Sequence, residues 1–352
     1  MKVSIIGTID ESHTIISGQY DRTEIVVDGL RNDGYEVRFS NMMEWKKRPL
    51  SVLFSIIINY FWSDAVIFVA SLNGVRVNLN LINFLRLFKK KPIFQIAIGG
   101  KSNCVFVKNE KRYRDMIKKL SAVFVEITPM VQEYKEAGID RVYYLPNCKT
   151  IDKQTTRVYP KLERPYKFCT YSRVTPEKGI EEAINVVNRL NMKYGRDYCT
   201  LDIYGTYLEK DMVWFENLMS KTPETIKYKA RIDRKDSISI LGQYDLMLFP
   251  TRHLGEGVPG GMIDCYEAGL PIVVCNTSFM STIVIDGQTG FVYDGNSDEN
   301  LDQAILRYTE QLSKADKLKM REQCCQLAMQ YDTSAVINTL SKHLGSVNKL
   351  NI

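Results

Sequence analysis

Histidine is nearly absent: the 352 residues include only His13, His253 and His343, which speaks against a metal centre built on several imidazoles. The eight cysteines form no Cys-x-x-Cys pair, and none has a histidine nearby. Several lie inside apolar, strand-like runs, where a thiol acts as a small hydrophobe. A reduced, cytoplasmic chain is therefore expected rather than a disulfide or metal scaffold. No uninterrupted apolar run is long enough for a membrane span. The most apolar stretch, 53–70, is broken by Asn59 and Asp64, and a charge near mid-span is costly in lipid; a buried helix followed by a strand is expected there. The chain opens directly into the strand-like Val3-Ser4-Ile5-Ile6-Gly7, so no signal peptide is visible. Short-period repeats, low-complexity tracts and Asp-x-Asp triplets are missing as well.

What is present describes a globular protein. Hydrophobic residues make up 45% and charged residues 25%, and the length suits two α/β domains better than one core. The net charge of +6 is uneven: residues 1–150 hold 22 Lys/Arg against 15 Asp/Glu, and residues 151–352 hold 25 against 26. A basic half suits nucleic acid, anionic lipid or phosphorylated substrates, and charge alone does not choose among them.

Short apolar strands at 3–7, 36–40, 65–70, 93–98, 122–127 and 141–145 are separated by helical patterns, notably 20–32, 77–88, 110–120 and 129–137. Nearly continuous apolar strands divided by helices predict a parallel sheet covered on both faces. The pattern lapses over a polar segment with Pro146, Pro160 and Pro165, then resumes with strands at 167–171, 200–204, 226–229, 245–249 and 271–275. From Asn300 onward only helices are expected. The fold class is α/β, with two Rossmann-like, doubly wound domains at 1–155 and 156–325 and a helical tail at 326–352. If the two sheets face one another, the cleft between them is the default site.

The chemistry concentrates in Phe249-Pro-Thr-Arg-His-Leu-Gly-Glu256-Gly257-Val-Pro-Gly260-Gly261-Met-Ile-Asp264, followed by Gly269-Leu-Pro-Ile-Val-Val. A strand ends, a glycine-rich turn holds Glu256, a helix opens near Gly260, and Asp264 falls within its early turns. Free N–H groups at Gly260 and Gly261, with the helix dipole, make a seat for phosphate. The flanking carboxylates accept hydrogen bonds from hydroxyls, so a sugar or ribose beside a diphosphate is the consistent ligand. Either carboxylate alone reads more simply as a solvated helix-start charge; the combination favours the ligand.

This stretch resembles the donor motif of retaining GT-B glycosyltransferases of family 4, in which two acids are separated by seven residues, as Glu256 and Asp264 are. The resemblance implies that Glu256 contacts the donor sugar and Asp264, in place of the usual glutamate, holds the ribose. A second match, Tyr171-Ser-Arg173-Val-Thr-Pro-Glu-Lys178-Gly, implies that Arg173 and Lys178 neutralise the leaving diphosphate. Weaker agreements put Gly205 near the nucleotide, Arg231 near the base, and Ser17-Gly18-Gln19 in the glycine loop beside the reacting centre. Ile96-Ala-Ile-Gly99-Gly100-Lys101 fills the region where many members carry a histidine. His13 could reach the cleft from its loop, but no general base is assigned.

The implied reaction moves a sugar from a nucleoside-diphosphate sugar to a glycan or lipid-diphosphate acceptor, without cofactor or metal, in polysaccharide assembly. The first domain would bind the acceptor and the second the donor. Val77, Leu81, Phe84, Leu85 and Phe88 recur at helical spacing before Lys89-Lys90-Lys91. That reads as a core helix with a solvated basic end, or as a peripheral contact with anionic membrane at the inner face of the cell. A sugar-nucleotide epimerase of the same layout and a non-catalytic partner subunit are the alternatives. No nucleic-acid module is recognised.

Overall fold

The computed structural model describes residues 1–10, 18–152, 157–277 and 279–348; His13 and Ser17 lie outside them. Two units result. The first holds Met1–Thr150, Gly257–Pro259 and Tyr331–Ile352, the second Ile151–Glu256 and Gly260–Gln330.

The first unit runs β1 (Lys2–Gly7), α1 (Gly18–Asn32), β2 (Glu36–Asn41), α2 (Pro49–Trp62), β3 (Ala65–Ala70), α3 (Leu72–Leu85), β4 (Ile93–Ala97), α4 (Lys101–Asn109), α5 (Lys111–Ile117), β5 (Ala122–Val125), α6 (Thr128–Glu136) and β6 (Val142–Tyr144). Its strands are all parallel, in the order β2-β1-β3-β4-β5-β6. Every residue of β3 and β4 is buried, as a strand covered on both faces requires.

The second unit runs β7 (Tyr166–Tyr171), α7 (Ile180–Tyr194), β8 (Cys199–Tyr204), α8 (Glu209–Met219), β9 (Ile226–Tyr228), α9 (Ser237–Leu241), β10 (Leu246–Phe249), α10 (Gly260–Glu267), β11 (Ile272–Cys275), β12 (Gly290–Tyr293), α11 (Asp298–Leu306) and α12 (Lys314–Ala328). Its parallel sheet has the order β12-β11-β10-β7-β8-β9. In such a sheet the chain winds one way from β7 to β9, then returns to the other side of β7. The switch falls between β7 and β10, where open α/β sheets bind ligands beyond their strand ends.

Three features depart from expectation. The first unit ends at Thr150 rather than at 155, and the tail is no separate piece. Val336, Leu340 and Leu344 of α13 (Thr333–Asn348) share a buried cluster with Val3, Val26 and Leu30. The helix expected to be buried before β3 is α2, and it covers the core with one face only. Val52, Ile56, Asn59 and Tyr60 are buried, while Leu50, Phe54, Ile58 and Phe61 are exposed. In the first unit α3 begins at Leu72, five residues before the expected start, and α4 follows β4 in a stretch to which no helix had been assigned.

Candidate active site

The two motifs meet at the switch point of the second unit. Leu246 and Met247 of β10 pair with Phe168 and Cys169 of β7, so the loops after these strands emerge side by side. Past β7 the chain makes a short 3-10 turn, Pro176–Lys178, and enters α7 through Gly179. The β10 loop is stitched to that turn. Arg252 N donates to Glu177 O at 3.0 Å, and Thr251 Oγ1 donates to the same carbonyl at 3.3 Å. From the other side, Thr277 Oγ1 donates to Thr251 O at 2.7 Å.

Gly179 makes this approach possible. It adopts φ 74°, and a Cβ there would sit on the Pro250 carbonyl and 2.6 Å from Pro250 Cγ. Gly179→Ala is expected to cost about 1–3 kcal/mol through the backbone alone. Calorimetry should register a lower melting temperature, by about 2–4 °C for each kcal/mol. An unchanged melting temperature with normal donor affinity would contradict this account of the junction.

Lys178 and Glu256 form a buried ion pair, and the ammonium also stands 5.6 Å from the centre of the Phe249 ring. Burial, followed by repulsion from Arg173, lowers the Lys178 pKa to about 7, with Glu177 opposing. Glu256, in contact with the ammonium, favours its charged form. Arg173 itself is exposed. His253, which the motif contains but which received no role, belongs to the same cluster. Its Nδ1 lies 3.3 Å from Glu177 Oε2, and burial and then the Lys178 charge lower its pKa. Its position three residues before Glu256 was the available signal.

The second acid is held differently. Asp264 is buried in α10 and accepts a hydrogen bond from Tyr171 OH at 3.2 Å. Burial and the Asp264 charge raise the Tyr171 pKa, so the phenol stays a donor, while Arg231 acts in the opposite direction. Gly260 and Gly261 open α10, and a Cβ on Gly261 would lie 2.9 Å from Tyr171 O. Gly205 takes φ 141° and packs on Ser172, and its N–H donates to Ala230 O at 2.9 Å. Arg173, Lys178, Gly205, Arg231, Glu256, Gly260, Gly261 and Asp264 are therefore all carried on loops or helix starts following the strands of one sheet.

Two residues of the expected donor set lie in the first unit. Gly18 opens α1, where Gln19 Nε2 donates to Thr8 Oγ1 at 2.6 Å. Gly257 belongs to a segment whose Val258 carbonyl accepts from Asn147 Nδ2 at 2.9 Å. Beyond the ends of β1 and β2, the first unit also holds a cavity of about 700 Å³ whose lining includes Asp10, Asn41, Lys47, Arg48 and Ser51. Among the described residues, no three His, Cys, Asp or Glu side chains converge on a possible metal position.

Residues 152–324, nearly half of the chain, match the family model of glycosyl transferases group 1. The match falls almost entirely within the second unit. An uncharacterized glycosyltransferase of Methanocaldococcus jannaschii is 21% identical over 63% of this chain, and the match spans 60% of that protein's own length. Among solved structures, Anabaena HepE in complex with UDP and glucose aligns with a TM-score of 0.76 at 13% identity, over 98% of this chain and 100% of that one. Sucrose-phosphate synthase from Thermosynechococcus elongatus aligns with a TM-score of 0.77 at 11% identity, over 99% of each chain. At such identities the likeness speaks for the fold, which is that of the GT-B glycosyltransferases. The matched residues include the two motifs described above, at the switch point of the sheet.

Proposed function

We propose that this protein transfers a sugar, with retention of configuration, from a nucleoside-diphosphate sugar to a glycan or lipid-linked acceptor in polysaccharide synthesis. The observation that carries the reading is the buried Lys178–Glu256 pair beside Arg173 at the switch point between β7 and β10. In the free protein the pair neutralises itself. An incoming diphosphate competes for the ammonium, and Glu256 is released to accept hydrogen bonds from sugar hydroxyls. Arg173 and Lys178 then face the charge that grows on the diphosphate as its bond to the anomeric carbon breaks, the point at which fixed cations lower the barrier most. The N–H groups opening α10 seat the phosphates, and Asp264 takes the ribose hydroxyls.

The solved structures similar to this chain include one holding UDP and glucose, which supports a uridine donor as the first to try. The cavity of the first unit, with Lys47 and Arg48 in its lining, suits an acceptor carrying negative charge. Cations and a helix start suffice for the leaving group, so transfer is proposed to need no metal.

Incubating the chain with a panel of sugar nucleotides, with and without EDTA, tests the reading. Slow hydrolysis or transfer that survives EDTA is the expected result, with the α- or β-configuration of the product read by NMR. A 2-epimer of the donor would assign an epimerase instead. Failure of every sugar nucleotide to bind would leave a partner subunit.

A further inference from the structure

Among the described residues of the first unit, α2 and the end of α3 carry a run of exposed large apolar side chains. On α2, Leu50, Phe54, Ile58 and Phe61 follow one another every three or four residues and all face outward; Leu50 is 80% exposed and Phe54 66%. Past α3, Leu87 is 78% exposed and Phe88 66%, with the Phe84 and Phe88 rings 5.4 Å apart. The two helix ends adjoin. Tyr60 OH donates to Lys89 O at 2.6 Å, and Lys89 Nζ donates to Phe61 O at 3.2 Å. Lys91 is turned inward onto Tyr60 and Ser63, which leaves Lys89 and Lys90 as the exposed members of the lysine triplet.

Charge identifies the occupant. Residues 42–62 and 72–92 hold eight Lys/Arg and a single carboxylate, Glu44, which pairs with Arg48; Arg76 pairs with Glu110 and Lys91 turns inward, which leaves Lys46, Lys47, Arg86, Lys89 and Lys90 without a carboxylate partner in these segments. That excess of seven equals the whole net charge of residues 1–150, so the rest of this half is neutral. A stripe of exposed phenylalanine and leucine with lysine and arginine near its two ends matches the boundary of an anionic bilayer, with rings entering the acyl edge and ammonium groups meeting lipid phosphates. No described helix is long and apolar enough to cross a membrane. Contact is therefore from the side.

We infer that the α2 stripe and the end of α3 form a docking surface for an anionic lipid bilayer, on which the first unit rests peripherally. The inference stands on this surface alone and does not depend on the reading of the donor site.

Co-sedimentation of the full chain with phosphatidylglycerol-containing vesicles, against pure phosphatidylcholine, tests it. The parent should bind the anionic vesicles and lose binding as salt rises. Replacing Lys89 and Lys90 by glutamine should lower partitioning roughly thirtyfold. Phe54→Ser with Phe88→Ser should lower it as well, and that loss should persist at high salt. All four side chains are exposed, so melting temperatures should match the parent. Absence of parent binding to the anionic vesicles, indifference to lipid charge, or unchanged binding by both variants would overturn the inference. A lipid-free dimer dissociated by Phe54→Ser would also overturn it, because a second copy would then be the occupant.

Discussion

Lys178→Ala and Arg173→Ala are each expected to slow sugar transfer on the order of thirtyfold to a thousandfold, equivalent to about 2–4 kcal/mol of transition-state stabilisation. In the proposed reaction both remove a cation facing the departing diphosphate, but their structural costs differ. Lys178 is buried against Glu256, so its loss strands a carboxylate and lowers stability too. Arg173 is exposed, and its variant should melt like the parent. A folded Arg173→Ala protein with near-parental turnover would remove the phosphate-clamp assignment.

The same lysine predicts a pH dependence. Burial, then Arg173, brings its pKa to about 7, so the ammonium is present below that value and lost as pH rises through it. A bound diphosphate favours the charged form, so binding takes up protons above neutrality, and affinity falls by up to tenfold per pH unit until the pKa of the complex is reached. UDP-glucose is the probe of choice, because its diphosphate is capped by the sugar and has no terminal phosphate titrating in this range. Calorimetry in buffers of different ionisation enthalpy reads the proton uptake directly. In Lys178→Ala the uptake should vanish; if it persists, another group is responsible.

Glu256→Gln and Asp264→Asn should fail in different ways. Glu256→Gln keeps the size of the side chain but weakens charge-assisted hydrogen bonds to sugar hydroxyls, so turnover and selectivity among donor sugars should both suffer. Binding of free UDP, which has no sugar, should survive. Asp264→Asn should weaken UDP-glucose and UDP alike, since both carry the ribose. A hydrogen bond to a charged group contributes roughly 1.5–3 kcal/mol, hence about tenfold to a hundredfold in affinity. Tyr171 supplies a control: Tyr171→Phe removes the phenol that donates to Asp264 at 3.2 Å and should weaken UDP binding in the same direction as Asp264→Asn. Loss of UDP binding in Glu256→Gln but not in Asp264→Asn would reverse the two roles. Full activity in both would reduce the acids to helix-start charges.

Much of this protein was legible in the order of its residues. Buried parallel strands announce themselves as apolar runs, because covering both faces leaves no polar side; β3 and β4 were visible for that reason. Glu256, Asp264, Arg173 and Lys178 could be singled out because glycine, proline and charge stood at a strand-to-helix junction, where backbone geometry limits what fits. Exposure was not legible. An apolar helix reads alike whether its second face is covered or bare, so α2 looked buried and its exposed Phe54 went unseen. The partition of the tail was hidden likewise, since the periodicity of α13 says that it packs but not against what.

The meeting of the two motifs was a matter for the tertiary structure. Nothing local tells β7 to pair with β10 rather than with β9, because pairing order in a parallel sheet is set by long-range packing of helices across its faces. That order, β10-β7-β8, brings Lys178 to Glu256, 78 residues away in sequence, and draws His253 into the same cluster. The sequence by itself determined which side chains to propose for the chemistry. Only the folded sheet decided that they stand together, buried deeply enough to shift a lysine toward neutrality.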